Sequence, residues 1–286
     1  MAEAAGSESR LDALLPPAMA RRAEEIGAAK AAMDPVRVFA LAILAGAFIA
    51  LGAVFSTVAL AGVGDAPWGP IRVLAGLAFS LGLVLVVVGG AELFTGNNLV
   101  VMAWAGGRIG AGALARNWAI VYVGNFAGAL SIALLVAVAG THRFGAGAFG
   151  TAALGIASAK LGLAFLQAIA LGILGNVLVC LAVWLSYSAR TTADRILAVV
   201  LPISGFVAAG FEHSVANMYF VPFGLLVATL DPGFVAAHGL TDQAEGLTWL
   251  SFLWRNLAPV TVGNVIGGAV LVGAVYWFVY LRTRAV

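Results

Sequence analysis

The chain has 286 residues, 62% of them hydrophobic and only 10% charged, with a mean hydropathy of +1.04 and a formal net charge of +2. A soluble domain carries about 25% charged residues, so this composition belongs to a bilayer. No Lys/Arg run interleaved with aromatics supports nucleic-acid binding, and the single cysteine, Cys180, cannot make an intrachain disulfide.

Residues 1–34 are charged and Ala-rich, without the apolar core of a cleavable signal peptide. Within them 18–33 has helical composition, and Asp34-Pro35 reads as a stop before the first span. This stretch is expected to be a solvated or interfacial helix, with a gating lid as the alternative. A spanning helix needs about 20 mostly apolar residues. Six segments qualify, at roughly 36–62, 71–106, 113–139, 158–188, 194–228 and 251–281. The second and fifth are too long for one simple span, and each reads as two half-helices around an irregular loop, at 94–98 and 209–214. Non-helical backbone at membrane depth is tolerated only where it is buried in protein or lines a wet cavity.

The distribution of Lys and Arg sets the orientation. With the N-terminus inside, Arg10, Arg21, Arg22, Lys30, Arg37, Arg108, Arg116, Arg190, Arg195, Arg282 and Arg284 collect on the cytoplasmic side. Only Arg72, Arg143 and Arg255 fall outside, and Lys160 lies near the outer end of the fourth span. Both termini are therefore expected in the cytoplasm.

One polar signature occurs twice inside apolar segments: Gly90-Ala-Glu92-Leu-Phe-Thr-Gly-Asn97 and Gly210-Phe-Glu212-His-Ser-Val-Ala-Asn217, both G-x-E-x-x-x-x-N. A second pattern, N-x-A-x-V-x-V-G-N-x-x-G, runs from Asn117 to Gly128 and again from Asn256 to Gly267. Three spans make each half, so the repeats have opposite topology, at about 36–139 and 158–281 within a membrane domain of 35–282 followed by a short tail at 283–286. Polar, Gly-containing interruptions in corresponding halves point to a substrate pathway near the midplane. Gly124 with Gly128, and Gly263 with Gly267, form small-xxx-small spacings for close packing within or between subunits.

Ionisable groups inside a bilayer are costly and are functional candidates by default. Glu92 and Glu212 occupy matching repeat positions beside the helix breaks, where a carboxylate accepts freed backbone or amide donors and braces the loop; a proton relay is the alternative. Asn97, Asn217 and Asn264 belong with this bracing. His213 has no counterpart, since Leu93 stands in its place. A satisfied core histidine is the plain reading, but its place at a break in a membrane makes it a pathway residue, and Thr95 offers a hydroxyl across the pseudo-two-fold. Half-helix N-termini attract anions, which favours a small anion or neutral polar solute over a cation. Phe79, Leu83, Phe94 and Phe206 lie beside the breaks as candidate apolar constrictions, ordinary core or lipid-facing aromatics being the alternative. Asn176 serves interhelix hydrogen bonding or the pathway equally well.

The runs AELFTGNNLVV (91–101), ILGNVLVCLAVW (173–184), GFEHSVANMYFVP (210–222) and VTVGNVIGG (260–268) resemble the formate/nitrite transporter family over all six spans. Gly175 departs from the family, many of whose members carry cysteine there. The resemblance implies an all-α, aquaporin-like protomer with an inverted 3+3 repeat and its own pore, assembled as a homopentamer in the cytoplasmic membrane. It implies transport of formate, nitrite or hydrosulfide, and among these the sequence looks most like formate-type members. By matching positions, His213 is the central pore histidine and Thr95 its partner. Phe79 with Phe206, and Leu83 with Phe94, line two constrictions, near Val179 and Asn176. Lys160 draws anions into the outer vestibule.

Two mechanisms then compete. In the first the anion acquires a proton and crosses as the neutral acid, with His213 donating a hydrogen bond or the proton. In the second a protonated His213 lets the anion through as in a channel, until low external pH closes it with help from residues 1–34. A membrane enzyme using Glu212 and His213 lacks any H-E-x-x-H or Cys/His ligand spacing. A neutral-solute channel lacks the Asn-Pro-Ala repeats of aquaporins. No cofactor or metal is expected; the partners are the anion, a proton, lipid and further copies of the chain.

Overall fold

The structure, a computed structural model, describes residues 13–282. The first part of the N-terminal segment, with Arg10, and the tail at 283–286, with Arg284, lie outside the described residues. All regular structure among the described residues is helical. Five helices are long and apolar enough to cross a membrane: α2 (Pro35–Leu60), α3 (Trp68–Gly89), α5 (Ala111–Val138), α7 (Phe165–Ser188) and α12 (Trp249–Tyr280). The second and fifth expected spans are both interrupted. After α3 the chain resumes as a 3-10 turn, Gly96–Val100, and the short α4 (Val101–Ala105). The fifth span is two half-helices, α8 (Thr192–Ala208) and α9 (Ser214–Leu230). α9 is buried around almost its whole circumference, which is how a helix apolar on all faces becomes a core element.

Two expectations about the spans are corrected. The first break lies at 90–95 rather than 94–98, because the left-handed Gly90, not the polar Thr-Gly-Asn-Asn run, ends α3. The fourth span is not one helix from 158: α6 (Ala148–Leu161) is a separate short helix, divided from α7 by the turn at Gly162–Ala164. Lys160 therefore sits in the last turn of α6.

The N-terminal α1 (Pro16–Ala32) is docked rather than solvated. Its small residues Ala20, Ala23, Gly27 and Ala31 share one face and are buried with Met19 against the 96–105 segment. Asp34 ends the link and caps α2, its carboxylate accepting from the N–H groups of Val36 and Arg37 at 3.1 and 3.0 Å.

The inverted repeat pairs α2 with α7, α3 with α8 and α5 with α12, and it also pairs α1 with α6, which precede them. Tyr122 and Thr261 hold equivalent places in the second repeated pattern, and their hydroxyls hydrogen-bond each other at 2.8 Å. The paired small residues serve packing within the protomer. Gly124 and Gly128 lie against Ala42 and the backbone of Ile43 in α2, and Gly263 and Gly267 against the backbones of Ile169 and Ile173 in α7. Short helices α10 (Pro232–Ala237) and α11 (Thr241–Ala244) fill the long loop before α12.

Candidate functional site

Both breaks are built the same way. Gly90 and Gly210 adopt left-handed φ values of 76° and 77°, a conformation that glycine takes without penalty. The following N–H groups turn back onto the helix, Ala91 to the Val86 carbonyl and Phe211 to the Phe206 carbonyl, each at 3.0 Å. An asparagine from the facing span then holds the irregular strand. Asn125 Oδ1 accepts from Phe94 N–H at 2.8 Å, while its Nδ2 donates to the carbonyls of Glu92 and Ala42 at 2.9 and 2.7 Å. Asn264 repeats this with Ser214 N–H at 2.8 Å and the carbonyls of Glu212 and Gly172 at 3.0 and 2.8 Å.

Each glutamate lies at the centre of a charged, buried cluster. Lys160 Nζ meets Glu212 Oε1 at 2.7 Å, and Glu212 Oε2 accepts from Asn217 Nδ2 at 2.6 Å; Asn217 Nδ2 also donates to Asn256 at 2.7 Å. At the other break Lys30 Nζ meets Glu92 Oε1 at 2.9 Å, and Glu92 Oε2 accepts from Asn97 Nδ2 at 2.7 Å; Asn97 Nδ2 also donates to Asn117 at 3.0 Å. Burying a lone carboxylate is prohibitive unless it is paired and hydrogen-bonded, and both are. Lys30 is a site residue that sequence reasoning missed. It reads as a surface charge on a tail helix, whereas the docking of α1 makes it the counterpart of Lys160. The two clusters differ in two respects: Lys30 also donates to Asn97 Oδ1 at 2.8 Å, while Asn217 Oδ1 has no partner among the described residues, and Asn256 Nδ2 also donates to Glu212 Oε2 at 3.3 Å.

Between the clusters lies a neutral polar pair. His213 caps α9, its Nδ1 accepting from Ala216 N–H at 3.0 Å. That bond places the ring proton of neutral His213 on Nε2, which donates to Thr95 Oγ1 at 2.9 Å. The hydroxyl hydrogen of Thr95 finds no acceptor among the described residues. Thr95 is fixed through its carbonyl, which accepts from Asn176 Nδ2 at 3.3 Å and Cys180 Sγ at 3.2 Å. Asn176 also donates to Asn98 Oδ1 at 2.8 Å and the Asn264 carbonyl at 2.6 Å. It is fully buried bracing for both breaks at once.

Apolar side chains surround this pair. Phe79 and Phe206 meet edge to face with centroids 5.6 Å apart, and the Phe206 ring stacks on His213 at 5.8 Å. Two cavities approach the pair from opposite sides. A cavity of about 260 Å³ on the α1 side is lined by Lys30, Arg22, Arg195, Glu92, Leu83 and Leu93. A cavity of about 250 Å³ on the α6 side is lined by Lys160, Arg72, Glu212, His213, Phe79 and Phe206. Phe79 and Leu83 are neighbours one turn apart on α3, so at 1.5 Å per residue the positions that line the two cavities lie about 6 Å apart along that helix. Phe94, Val179 and Asn176 are buried but line neither cavity. The Phe94 ring packs edge-on against Tyr122 at 4.9 Å, and Leu93, the residue matching His213, takes the lining position. No group of three His, Cys, Asp or Glu side chains that could hold a metal ion occurs among the described residues.

A clasp on the α6 side anchors the approach to α6. Asp231, at the end of α9, accepts from His142 Nε2 and Arg143 Nε at 2.9 Å each. The His142 hydrogen bond and the Arg143 guanidinium hold its carboxyl down to about 2 from the ordinary 3.8.

A family profile described as formate/nitrite transporter matches residues 17–278. The chain belongs to the formate/nitrite transporter family. Formate channel FocA of Escherichia coli strain K12 is 46% identical over 278 residues, covering 96% of this chain and 98% of that one. Formate channel FocA of Haemophilus influenzae is 41% identical over 263 residues, covering 91% and 93%. A solved pentameric formate channel with formate bound superposes with a TM-score of 0.82 at 43% identity, covering 87% of this chain and 98% of that chain. A solved ion channel of the same family gives 0.77 at 26% identity, covering 92% and 98%. This member of the family is an integral membrane protein of inverted-repeat helices, as the resemblance in its motifs implied.

Proposed function

We propose that the protein transports formate across the cytoplasmic membrane together with a proton, as a homopentamer whose protomers each carry a pore. The α1 side faces the cytoplasm and the α6 side faces outward. The observation that carries the reading is the collar of Phe79, Phe206, Leu83 and Leu93 around one neutral His213–Thr95 pair, with a lysine in the cavity on either side.

Lys160 and Arg72 give the outer cavity, and Lys30, Arg22 and Arg195 the inner one, a positive lining that concentrates small anions. Among the described residues no cation hydrogen-bonds the His213–Thr95 pair, so a bare carboxylate beside it loses its hydration without an ionic partner in contact. Desolvation disfavours the charged form and raises the acid's pKa, so formate takes up a proton at the cavity floor and crosses the collar as formic acid. The Thr95 hydroxyl and His213 Nε2–H are the polar contacts along the way. Because Nδ1 is occupied as the cap acceptor for Ala216 N–H, His213 serves as hydrogen-bond donor; an imidazolium would set N–H against N–H at this position.

Formate ranks above nitrite and hydrosulfide on the names of the relatives and on the resemblance of the Thr-Gly-Asn-Asn run and the Asn117–Asn125 stretch to formate-type members. Transport rather than catalysis is the activity assigned to Glu212 and His213, whose side chains are engaged in bracing and capping. Uptake of labelled formate into proteoliposomes, with nitrite and hydrosulfide as competitors, tests the substrate. Saturable formate uptake that either competitor weakly inhibits is expected, and uptake of nitrite in preference to formate would overturn the assignment.

A further inference from the structure

The outer end of α3 is tied to the broken end of α8 by one side chain. Arg72 Nη2 donates to the Val207 carbonyl at 2.6 Å and Nε to the Ala208 carbonyl at 3.2 Å. The last carbonyls of a helix have no intrahelical donor, and no other donor reaches the Ala208 carbonyl among the described residues. One turn further along α3, a side chain at Gly76 would collide with the backbone of Ser204, so the two helices cross in direct backbone contact. A further turn brings Phe79, which faces Phe206, the residue preceding the clamped carbonyls. The clamp therefore joins the two helices that each present one phenylalanine of the outer collar. At the inner break the corresponding carbonyls, those of Val87 and Val88, receive no side-chain donor among the described residues.

We propose that Arg72 is a positioning residue that sets the aperture between Phe79 and Phe206, making the outer half of the barrier a rigid filter that selects by size. The proposal rests on the transport reading above, and it separates from a simpler role for Arg72 as an electrostatic lure in the outer cavity. A lure acts on every small anion alike. A clamp acts on the ratio of a larger monocarboxylate to a smaller one.

The experiment measures acetate and formate uptake into proteoliposomes for the parent, Arg72→Met and Arg72→Lys, each first checked for its oligomeric state by size-exclusion chromatography. Loosening the clamp should raise the acetate-to-formate ratio of Arg72→Met about tenfold, the scale on which a hydrophobic passage distinguishes ligands one methylene apart. Arg72→Lys keeps the charge but loses the planar fork, and an elevated ratio is expected for it too. A parent-like ratio in Arg72→Lys, or equal loss of both substrates in Arg72→Met, would assign Arg72 to the lure and overturn the clamp. Should Arg72→Met fail to assemble, the ratio in Arg72→Lys decides. A parent that takes up no formate would overturn the transport reading instead.

Discussion

Replacing Asn264 by leucine, a side chain of similar size, removes the bracing of the second break without opening a cavity. Three hydrogen bonds are lost, at 2.8, 3.0 and 2.8 Å. The Gly172 carbonyl lies within α7 and keeps its helical partner. The Ser214 N–H and the Glu212 carbonyl have no other partner among the described residues, and both residues are buried within the protein. An orphaned buried polar group costs about 1–3 kcal/mol, so two of them cost about 2–6 kcal/mol. For a chain of this size each kcal/mol moves the thermal transition by about 2–4 °C, so a fall of at least about 4 °C is expected. The fall should come with loss of formate uptake, because the displaced Ser214 and Glu212 flank His213. Thermal unfolding of the detergent-solubilised protein, followed by intrinsic fluorescence, reads the first effect, and proteoliposome uptake reads the second. Asn125→Leu should match it in stability, since its bonds to Phe94, Glu92 and Ala42 are equivalent. A transition unmoved in Asn264→Leu, with undiminished uptake, would refute the claim that these amides hold the breaks.

Thr95→Val leaves the His213 Nε2–H without an acceptor, at a cost of about 1–3 kcal/mol, and should abolish most formate uptake. Thr95→Ser restores the hydroxyl and should restore uptake, and equal activity in the two variants would contradict the pathway role. Lys160→Gln leaves Glu212 buried and unpaired, a loss of about 3–5 kcal/mol. The double variant Lys160→Gln/Glu212→Gln should melt at a higher temperature than the single, and additive losses would argue against a coupled pair. Asp231→Asn should lower thermal stability at neutral pH. Asp231 has a folded value near 2, below the ordinary 3.8, so its contribution is complete above about 4 and disappears as pH falls towards 2. The melting temperatures of variant and parent should therefore converge across that window, and a constant gap would exclude the His142–Arg143 clasp as the cause.

The duplicated signatures were legible because both breaks use the same parts: a glycine that turns left-handed, a glutamate, and asparagines five residues on and in the facing span. A polar residue recurring at fixed spacing inside an apolar segment has little other explanation. The position of the first break is hard to read because Gly96, Asn97 and Asn98 look like loop residues, yet the Asn97 and Asn98 side chains bond inward and the backbone there is already a 3-10 turn. The α6–α7 boundary was hidden because Gly162-Leu163-Ala164 is as apolar as the helices it separates. Lys30 was hidden for the opposite reason, since a lysine beside glutamates and alanines looks solvated. A signal was present: Ala-Lys ends a short helix just before α2 and again, at Ala159-Lys160, just before α7. Extending the repeat by one helix at its N-terminal edge would have paired them. The aromatic collar itself depends on the crossing of α3 and α8, which no local pattern encodes.

The central claim is that formate crosses a short apolar barrier as a neutral acid past the His213–Thr95 pair. The most direct test records formate uptake, internal pH and current together in proteoliposomes under an imposed pH gradient. The account predicts one proton taken up with each formate and no net current. Current that rises with formate while internal pH stays constant would contradict it, and would make the protein a channel for the anion.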